Sequence, residues 1–257
     1  SFPKPKMMIV NFPGNPTTQC VDLSFFEKLL EIAREHGVYV VHDLAYADIT
    51  FDGYKAPSIL QIPGAKDVAV EFFTMSKSYN MAGWRIGFAG GPTDLISAMS
   101  KIQGQSTTNA SSVGQAAALA ALQGSQENLG VWNLAYTRRM RLVRDRLSAI
   151  PGLTLRDPQG AFYHFIKCSG LFGKTTPQGD QLTSDNALCL YLLQYAHVAL
   201  VAGTEFGCPG YFRLCFAKSD QELIKACDSI SEAIELYEKK IKNMNSNFFI
   251  LTTTLFF

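Results

Sequence analysis

The sequence has no CxxC pair among its six cysteines, no metal-ligand spacing among its four histidines, no excess charge of either sign and no long apolar run. Each absence removes a class of function. Cys20, Cys168, Cys189, Cys208, Cys215 and Cys227 are scattered, a distribution that fits reduced, mostly buried thiols and neither a disulfide framework nor a zinc site. The expected setting is therefore cytoplasmic. His36, His42, His164 and His197 are dispersed, so no metal is expected and no histidine is assigned to catalysis; His42 touches a site only through its neighbour Asp43. A net charge of +1 over 257 residues, with neither a basic stripe nor an acidic tail, gives nucleic acid and anionic membrane surfaces nothing to hold. No stretch reaches the about 18 apolar residues of a membrane helix, and the first residues lack the apolar centre of a signal peptide. The chain opens without Met and is expected to begin inside a longer protein. What remains is a globular protein with small-molecule ligands.

With 47% hydrophobic and 18% charged residues, the chain can fill one large core or two modest ones. Residues 7–12, MMIVNF, read as a buried strand that ends in the turn-rich Pro13-Gly14-Asn15-Pro16-Thr17-Thr18. Asp22 then caps a helix whose apolar residues Phe25, Phe26, Leu29, Leu30, Ile32 and Ala33 recur at helical spacing until Gly37. Residues 38–42 form the next strand, with Asp43 at its end. A third strand, 68–75, runs into Ser76-Lys77-Ser78-Tyr79, and a fourth, 84–89, follows closely enough to pair antiparallel with a neighbour. Strand, helix, strand in this order predicts a mostly parallel sheet with flanking helices.

Residues 92–123 are expected to be mainly helical, and 127–150 to form one long helix. Its arginines Arg138, Arg139, Arg141, Arg144 and Arg146 are spread around the cylinder, as on a solvated or interdomain face. After Pro151-Gly152 the pattern changes to short strands at 153–156, 162–167, 198–202 and 211–217, with helices at 184–197 and 220–241. That reads as a second, smaller α+β domain. The organisation expected is thus a cofactor-binding domain over 1–130, an interdomain helix and small domain over 131–242, and a tail over 243–257. The tail, ending in FFILTTTLFF, is apolar and β-prone, reads as non-native, and is an aggregation hazard if exposed. The turn Gly90-Gly91-Pro92 lacks the flanking pattern of a phosphate loop.

Parallel sheets bind ligands at the carboxyl ends of their strands. Asn15 follows the first strand, Asp43 and Tyr46 the second, and Thr74, Ser76 and Lys77 the third, while Arg85 opens the fourth. Plainer readings exist for each. Asp43 could cap a following helix, Asn15 is a natural turn residue, and Arg85 and Arg213 could be structural ion-pair partners.

In this order, however, the segments resemble the signature of class I and II pyridoxal-phosphate-dependent aminotransferases of fold type I. NFPGNPTT resembles the family's NPxNPTG loop, HDLAYAD its Asp-and-Tyr segment, TMSKSYNMAGWRIGF its S-x-S-K-x(5)-G-x-R-x-G lysine motif, and YFRLCFA the element that presents a substrate-binding arginine. The resemblance covers residues 3–242 and implies a large domain with a mostly parallel sheet, incomplete here, plus a small C-terminal α+β domain. It implies pyridoxal 5′-phosphate held by Lys77 as a Schiff base, with Asp43 as a buried carboxylate on the ring nitrogen and Asn15 and Tyr46 on the phenolic oxygen. Thr74, Ser76 and Arg85 would bind the phosphate, Arg213 the α-carboxylate of the substrate, and Asn15 would contact the substrate as well as the cofactor. Lys77 would also move the substrate's α-proton, helped by the nearby charge of Arg85.

The family's complete members are longer, and their upstream part supplies further strands, a glycine-containing helix N-terminus and a ring-stacking aromatic. This chain alone is therefore expected to bind the cofactor weakly and turn over slowly or not at all unless the missing part is supplied. Residues 3–91 look most like alanine- or diaminopimelate-type transaminases, and the later segments, including GAFYHF and LFGKTTPQGD, like bacterial aspartate aminotransferases. The activity implied is ping-pong amino-group transfer between amino acids and 2-oxo acids in a homodimer, with aspartate and 2-oxoglutarate ahead of alanine. Carbon–sulfur β-elimination, a cofactor-sensing regulator and an inactive fragment stay open as alternatives. Regulators of that kind carry a helix-turn-helix, which the sequence does not display.

Overall fold

A computed structural model of the chain describes residues 3–235. They divide into two compact units, the first running through Ala135 and taking in Pro158–Ala161, the second comprising Tyr136–Asp157 and the described residues from Phe162 onward.

The first unit is built on a four-stranded sheet of β1 (Met7–Asn11), β2 (Tyr39–Asp43), β3 (Ala69–Thr74) and β4 (Gly87–Gly90), in that spatial order. β1, β2 and β3 are parallel and β4 is antiparallel to β3. Helix α1 (Leu23–His36) joins β1 to β2, starting at Asp22, whose Oδ1 accepts from the Phe25 N–H at 3.0 Å, and stopping at Gly37 in the left-handed region with φ 58°. Only a residue without Cβ takes that conformation at little cost. Phe26, Leu30 and Ala33 on one face of α1 are fully buried with Val40, Ile59, Ala65 and Ala69, and this cluster fixes the helix on the sheet. A single helical turn, α2 (Met75–Ser78), follows β3, and helices α3 (Thr93–Ser106), α4 (Ser112–Gln123) and the start of α5 (Glu127–Leu147) complete the unit.

The second unit holds a three-stranded antiparallel sheet in the order β5 (Tyr163–Lys167), β7 (Tyr211–Cys215), β6 (Val201–Ala202). Helix α6 (Asp185–Tyr191) continues into a π-helical turn, Leu192–Ala196, and residues 220–235 form helix α7. One face of the sheet is core: His164 and Ile166 are fully buried against their cross-strand partners Leu214 and Phe212.

Several sequence expectations are corrected. The strand expected at 153–156 is a lone bridge, Thr154 to Lys167, because Pro151-Gly152 and Pro158 bracket a segment too short for a ladder. The strand at 198–202 shortens to two residues, and the helix at 184–197 changes to π geometry near its end. The fourth strand starts at Gly87, since the residues before it, Ala82–Trp84, form a 3-10 turn. The residues 92–123 hold two helices separated by Thr107-Thr108-Asn109-Ala110-Ser111. The tail expected over 243–257, and the end of the helix expected to reach 241, lie outside the described residues. The cysteines are free, but only Cys168 and Cys227 are buried and Cys215 is exposed, so "mostly buried" overstated their environment. No helix among the described residues is long and apolar enough to cross a membrane, and none of their acidic, histidine or cysteine side chains cluster as a metal site would require.

Candidate active site

The parallel strands deliver their carboxyl ends to one edge of the four-stranded sheet. Asn15 follows β1, Asp43 ends β2 opposite Asn11, and Thr74 ends β3. β4 runs the other way and opens at that edge, with Gly87 opposite Thr74, so Arg85 is brought there too. Asn15, Asp43, Tyr46, Thr74, Ser76, Lys77 and Arg85 therefore gather along one edge of the first unit, whereas Arg213 lies on β7 of the second.

The loop after β1 is folded back on the sheet by side chain and backbone together. Asn11 Nδ2 donates to the Asp43 carbonyl at 2.8 Å and Asn11 Oδ1 accepts from the Asn15 N–H at 2.7 Å. Gly14 has no room for a side chain: a Cβ there would sit 2.9 Å from Thr17 Oγ1 and 3.2 Å from the Asn11 carbonyl.

Asp43 is exposed, where a buried carboxylate was expected. The pleat turns its side chain away from the core side occupied by Val40 and His42. Its Oδ1 accepts from the Ala45 N–H at 3.2 Å, an Asx-type turn followed by turns and no helix, so the helix-cap reading fails. Tyr46, three residues on, is buried, and Lys77 Nζ lies 6.0 Å from the centroid of its ring.

Lys77 sits in the single turn α2, held from both ends. Thr74 Oγ1 accepts from the Ser76 N–H at 3.1 Å, and the Tyr79 N–H closes the turn on the Lys77 and Met75 carbonyls. Met75 and Ser78 are buried while Ser76 and Lys77 stay half-exposed, so the turn is anchored by one side and presents the other. The Tyr79 hydroxyl donates to Gln126 Oε1 at 2.8 Å, and burial, with Asp48 nearby, pushes its pKa up and keeps it a donor.

Arg85 lies two residues before β4, not at its start, and is exposed. Its φ of 54° puts a non-glycine residue in the left-handed region, and its Nη1 donates to the Ala82 carbonyl at 2.8 Å. Gly87 is required beside it, because a Cβ would meet the Phe73 carbonyl at 2.7 Å. Arg213 occupies the middle of β7, also not a strand start, paired with Phe165 on one side and Val201 on the other.

The sequence reading missed the group that braces this edge. His42 is fully buried; its Nε2 donates to the Phe12 carbonyl at 3.0 Å, and a proton lies between its Nδ1 and Glu71 Oε2 at 2.9 Å. Glu71 also accepts from Ser58 Oγ at 2.6 Å and the Ile59 N–H at 2.9 Å. The residue beside Asp43 thus ties β2 to the loop after β1 and to β3. The signal was an acid inside the apolar strand VAVEFF, because a buried carboxylate needs partners.

The family model of aminotransferases of class I and II matches residues 1–230. The chain belongs to this family. It is 40% identical over 235 residues to an aspartate aminotransferase of Rhizobium meliloti (strain 1021), covering 91% of this chain and 57% of that protein. It is 44% identical over 234 residues to the glutamate-pyruvate aminotransferase AlaC of Escherichia coli (strain K12), covering 91% and 53%. The crystal structure of the aspartate aminotransferase from Rhizobium meliloti superposes with a TM-score of 0.87 at 40% identity, over 91% of this chain and 59% of that one. A double mutant of the Thermus thermophilus aspartate aminotransferase gives 0.79 at 32%, over 89% and 56%. As in those aminotransferases, the architecture is α/β with a mixed sheet and flanking helices. The chain spans little more than half the length of these relatives.

Proposed function

We propose that the chain forms the lysine-bearing part of a pyridoxal-5′-phosphate-dependent aminotransferase that moves amino groups between amino acids and 2-oxo acids. The observation that carries this reading is the gathering of Lys77, Tyr46 and Asp43 at one sheet edge, an amine beside a buried aromatic ring with a carboxylate on the neighbouring strand. This donor set fits the cofactor: an amine for its aldehyde, an acid for its ring nitrogen, and Arg85 with Ser76 and Thr74 for its phosphate. Bound there, the cofactor supplies a sink for the electron pair left when an amino acid loses its α-proton.

The chain's own residues do the rest. Asp43 would hold a proton on the ring nitrogen through its negative charge. Asn15 and Tyr46 would hold the phenolic oxygen by hydrogen bonds. Lys77 is the attachment point and carries the proton to and from the substrate's α-carbon. Arg213 pairs its forked donors with the substrate's α-carboxylate. The second unit then corresponds to the family's small domain, and the working protein is a cytoplasmic homodimer acting on small amino and 2-oxo acids.

Aspartate is the favoured donor, following the Rhizobium relative, with 2-oxoglutarate as the acceptor that the family resemblance implies. A specific observation favours a second reading: identity to the glutamate-pyruvate enzyme is 44%, above the 40% to the aspartate enzyme, which makes alanine the rival donor. The test is the visible absorption of the purified protein after loading with pyridoxal phosphate, in the wild type and in Lys77→Ala. The wild type shows the band of lysine-bound cofactor, and the variant lacks it and loses on the order of 10³-fold in transamination. A variant that retains both overturns the assignment. Bleaching of the band by aspartate against alanine ranks the donors, and Asp43→Asn keeps the cofactor while turnover falls.

A further inference from the structure

The two faces of the small sheet in the second unit differ sharply. One is the core described above. The other, set by strand alternation, carries Tyr163 and Phe165 of β5 and Tyr211 and Arg213 of β7. A cation among aromatic rings on a sheet face is held by their quadrupoles as well as by any anion. The Arg213 guanidinium carbon lies 4.5 Å from the centroid of the Tyr163 ring and 5.0 Å from that of Phe206. Phe206 itself leans edge-on against Phe165 at 6.4 Å, and Phe165 stacks on Tyr211 at 4.9 Å.

Phe206 comes from outside the sheet, at the end of the 3-10 turn Gly203–Phe206, so something must hold that turn in place. Asp185, almost wholly buried at the start of α6, does so. Its Oδ2 accepts from the Thr204 N–H at 2.7 Å, its Oδ1 accepts from Thr204 Oγ1 at 2.8 Å, and Oδ1 also accepts from the Asn186 N–H at 3.1 Å. Gly203 seals the other side: a Cβ there would collide with the Cys208 carbonyl and lie 2.8 Å from the Tyr211 carbonyl, so the turn rests directly on the start of β7.

We infer that Phe206, locked by the Asp185–Thr204 hydrogen bonds, is a positioning residue that fixes the plane of the Arg213 guanidinium for substrate carboxylates. The inference rests on the proposed role of Arg213. A guanidinium pressed against two rings keeps its donor fork in one plane, so the substrate need not order it on binding. Each substrate of the exchange carries an α-carboxylate, so Phe206 acts on amino acids and 2-oxo acids alike.

The experiment compares Phe206→Leu, Phe206→Tyr and Arg213→Lys in the cofactor-loaded protein, reading KM and kcat for both substrates and the calorimetric Kd of succinate as a non-reacting carboxylate. Phe206→Leu keeps bulk but removes the quadrupole; KM and the succinate Kd rise about tenfold while kcat stays within about twofold. Phe206→Tyr restores both. Phe206→Leu with unchanged KM and Kd, or with a loss that Phe206→Tyr does not repair, overturns the inference. Arg213→Lys separates the two levels of argument: unchanged KM and Kd there mean that Arg213 is not the carboxylate site, whereas a rise there beside a silent Phe206→Leu sinks only the role of Phe206.

Discussion

Glu71 in the first unit and Asp185 in the second are both buried acids that hold a turn against a strand, but they are satisfied by different partners. Glu71 meets an imidazole across β2 and β3, a serine hydroxyl and one backbone N–H. Asp185 is met by neutral donors, the hydroxyl and N–H of Thr204, the Asn186 N–H and its own N–H. The first arrangement binds one ionisable group to another, so each is stranded by loss of its partner. The second depends on the charge of the acid alone. Strand ends that present an acid and an amine are thus braced by a paired network, and the turn that flanks Arg213 by a single carboxylate.

The largest effect expected from this difference is in Glu71→Leu. Its loss leaves the buried His42 Nδ1 and Ile59 N–H and the half-buried Ser58 Oγ without their acceptor, and breaking a buried pair in this way costs about 3–5 kcal/mol. Urea unfolding of the variant beside the wild type measures it. A cost below about 1 kcal/mol would mean that the network contributes little and that the contrast with Asp185 is one of appearance.

How much of this was legible in the sequence follows from the range of the forces involved. The order of β1, α1, β2 and β3, the Asp22 cap and the Gly37 stop were readable because each depends on neighbours a few residues away. The lysine turn was readable as a motif, and its companions at the other strand ends followed once the strands were taken as parallel. The start of β4 was misplaced because Trp84 and Arg85 look strand-like, while the left-handed Arg85 and the close approach of Gly87 to Phe73 are set by packing. Asp43 was expected to be buried on the strength of its role, yet its exposure depends on what covers a sheet edge, which strand periodicity does not encode. Phe206 was invisible as a neighbour of Arg213 because the contact joins a turn to a strand through a fold that local patterns do not specify.

Asp185→Asn probes the other side of the comparison, with a smaller cost that depends on pH. Burial pushes the Asp185 carboxyl up, but the hydrogen bonds from Thr204 and Asn186 outweigh it and hold the group below its usual range. A carboxyl depressed in the folded state contributes stability above its unfolded value of about pH 4 and loses it as pH falls through the folded value. The variant should therefore be about 2 kcal/mol less stable at pH 7, from weakened charge-assisted hydrogen bonds, with the gap closing below about pH 4. Unfolding free energies at pH 7, 5 and 3 measure the trend. A gap constant across that range would place the cost in shape and not in charge.

The smallest effect concerns the two arginines. Arg213 has ordinary extended backbone within β7, whereas Arg85 holds a φ of 54° that costs a non-glycine residue about 1–2 kcal/mol. Glycine at position 85 would remove that strain but add about 0.5–1 kcal/mol of chain entropy to the unfolded state. Arg85→Gly is therefore expected to leave stability unchanged or raise it by about 0.5 kcal/mol, while the affinity for pyridoxal phosphate falls with the loss of the guanidinium. Glycine at 213, by contrast, should lower stability by about 1 kcal/mol, because a strand interior gains nothing from conformational freedom. Thermal unfolding of both variants without cofactor, beside cofactor titration of Arg85→Gly, separates the two cases. A loss of more than about 1 kcal/mol in Arg85→Gly would mean that the Ala82 hydrogen bond, and not a ligand, is what keeps an arginine in that turn.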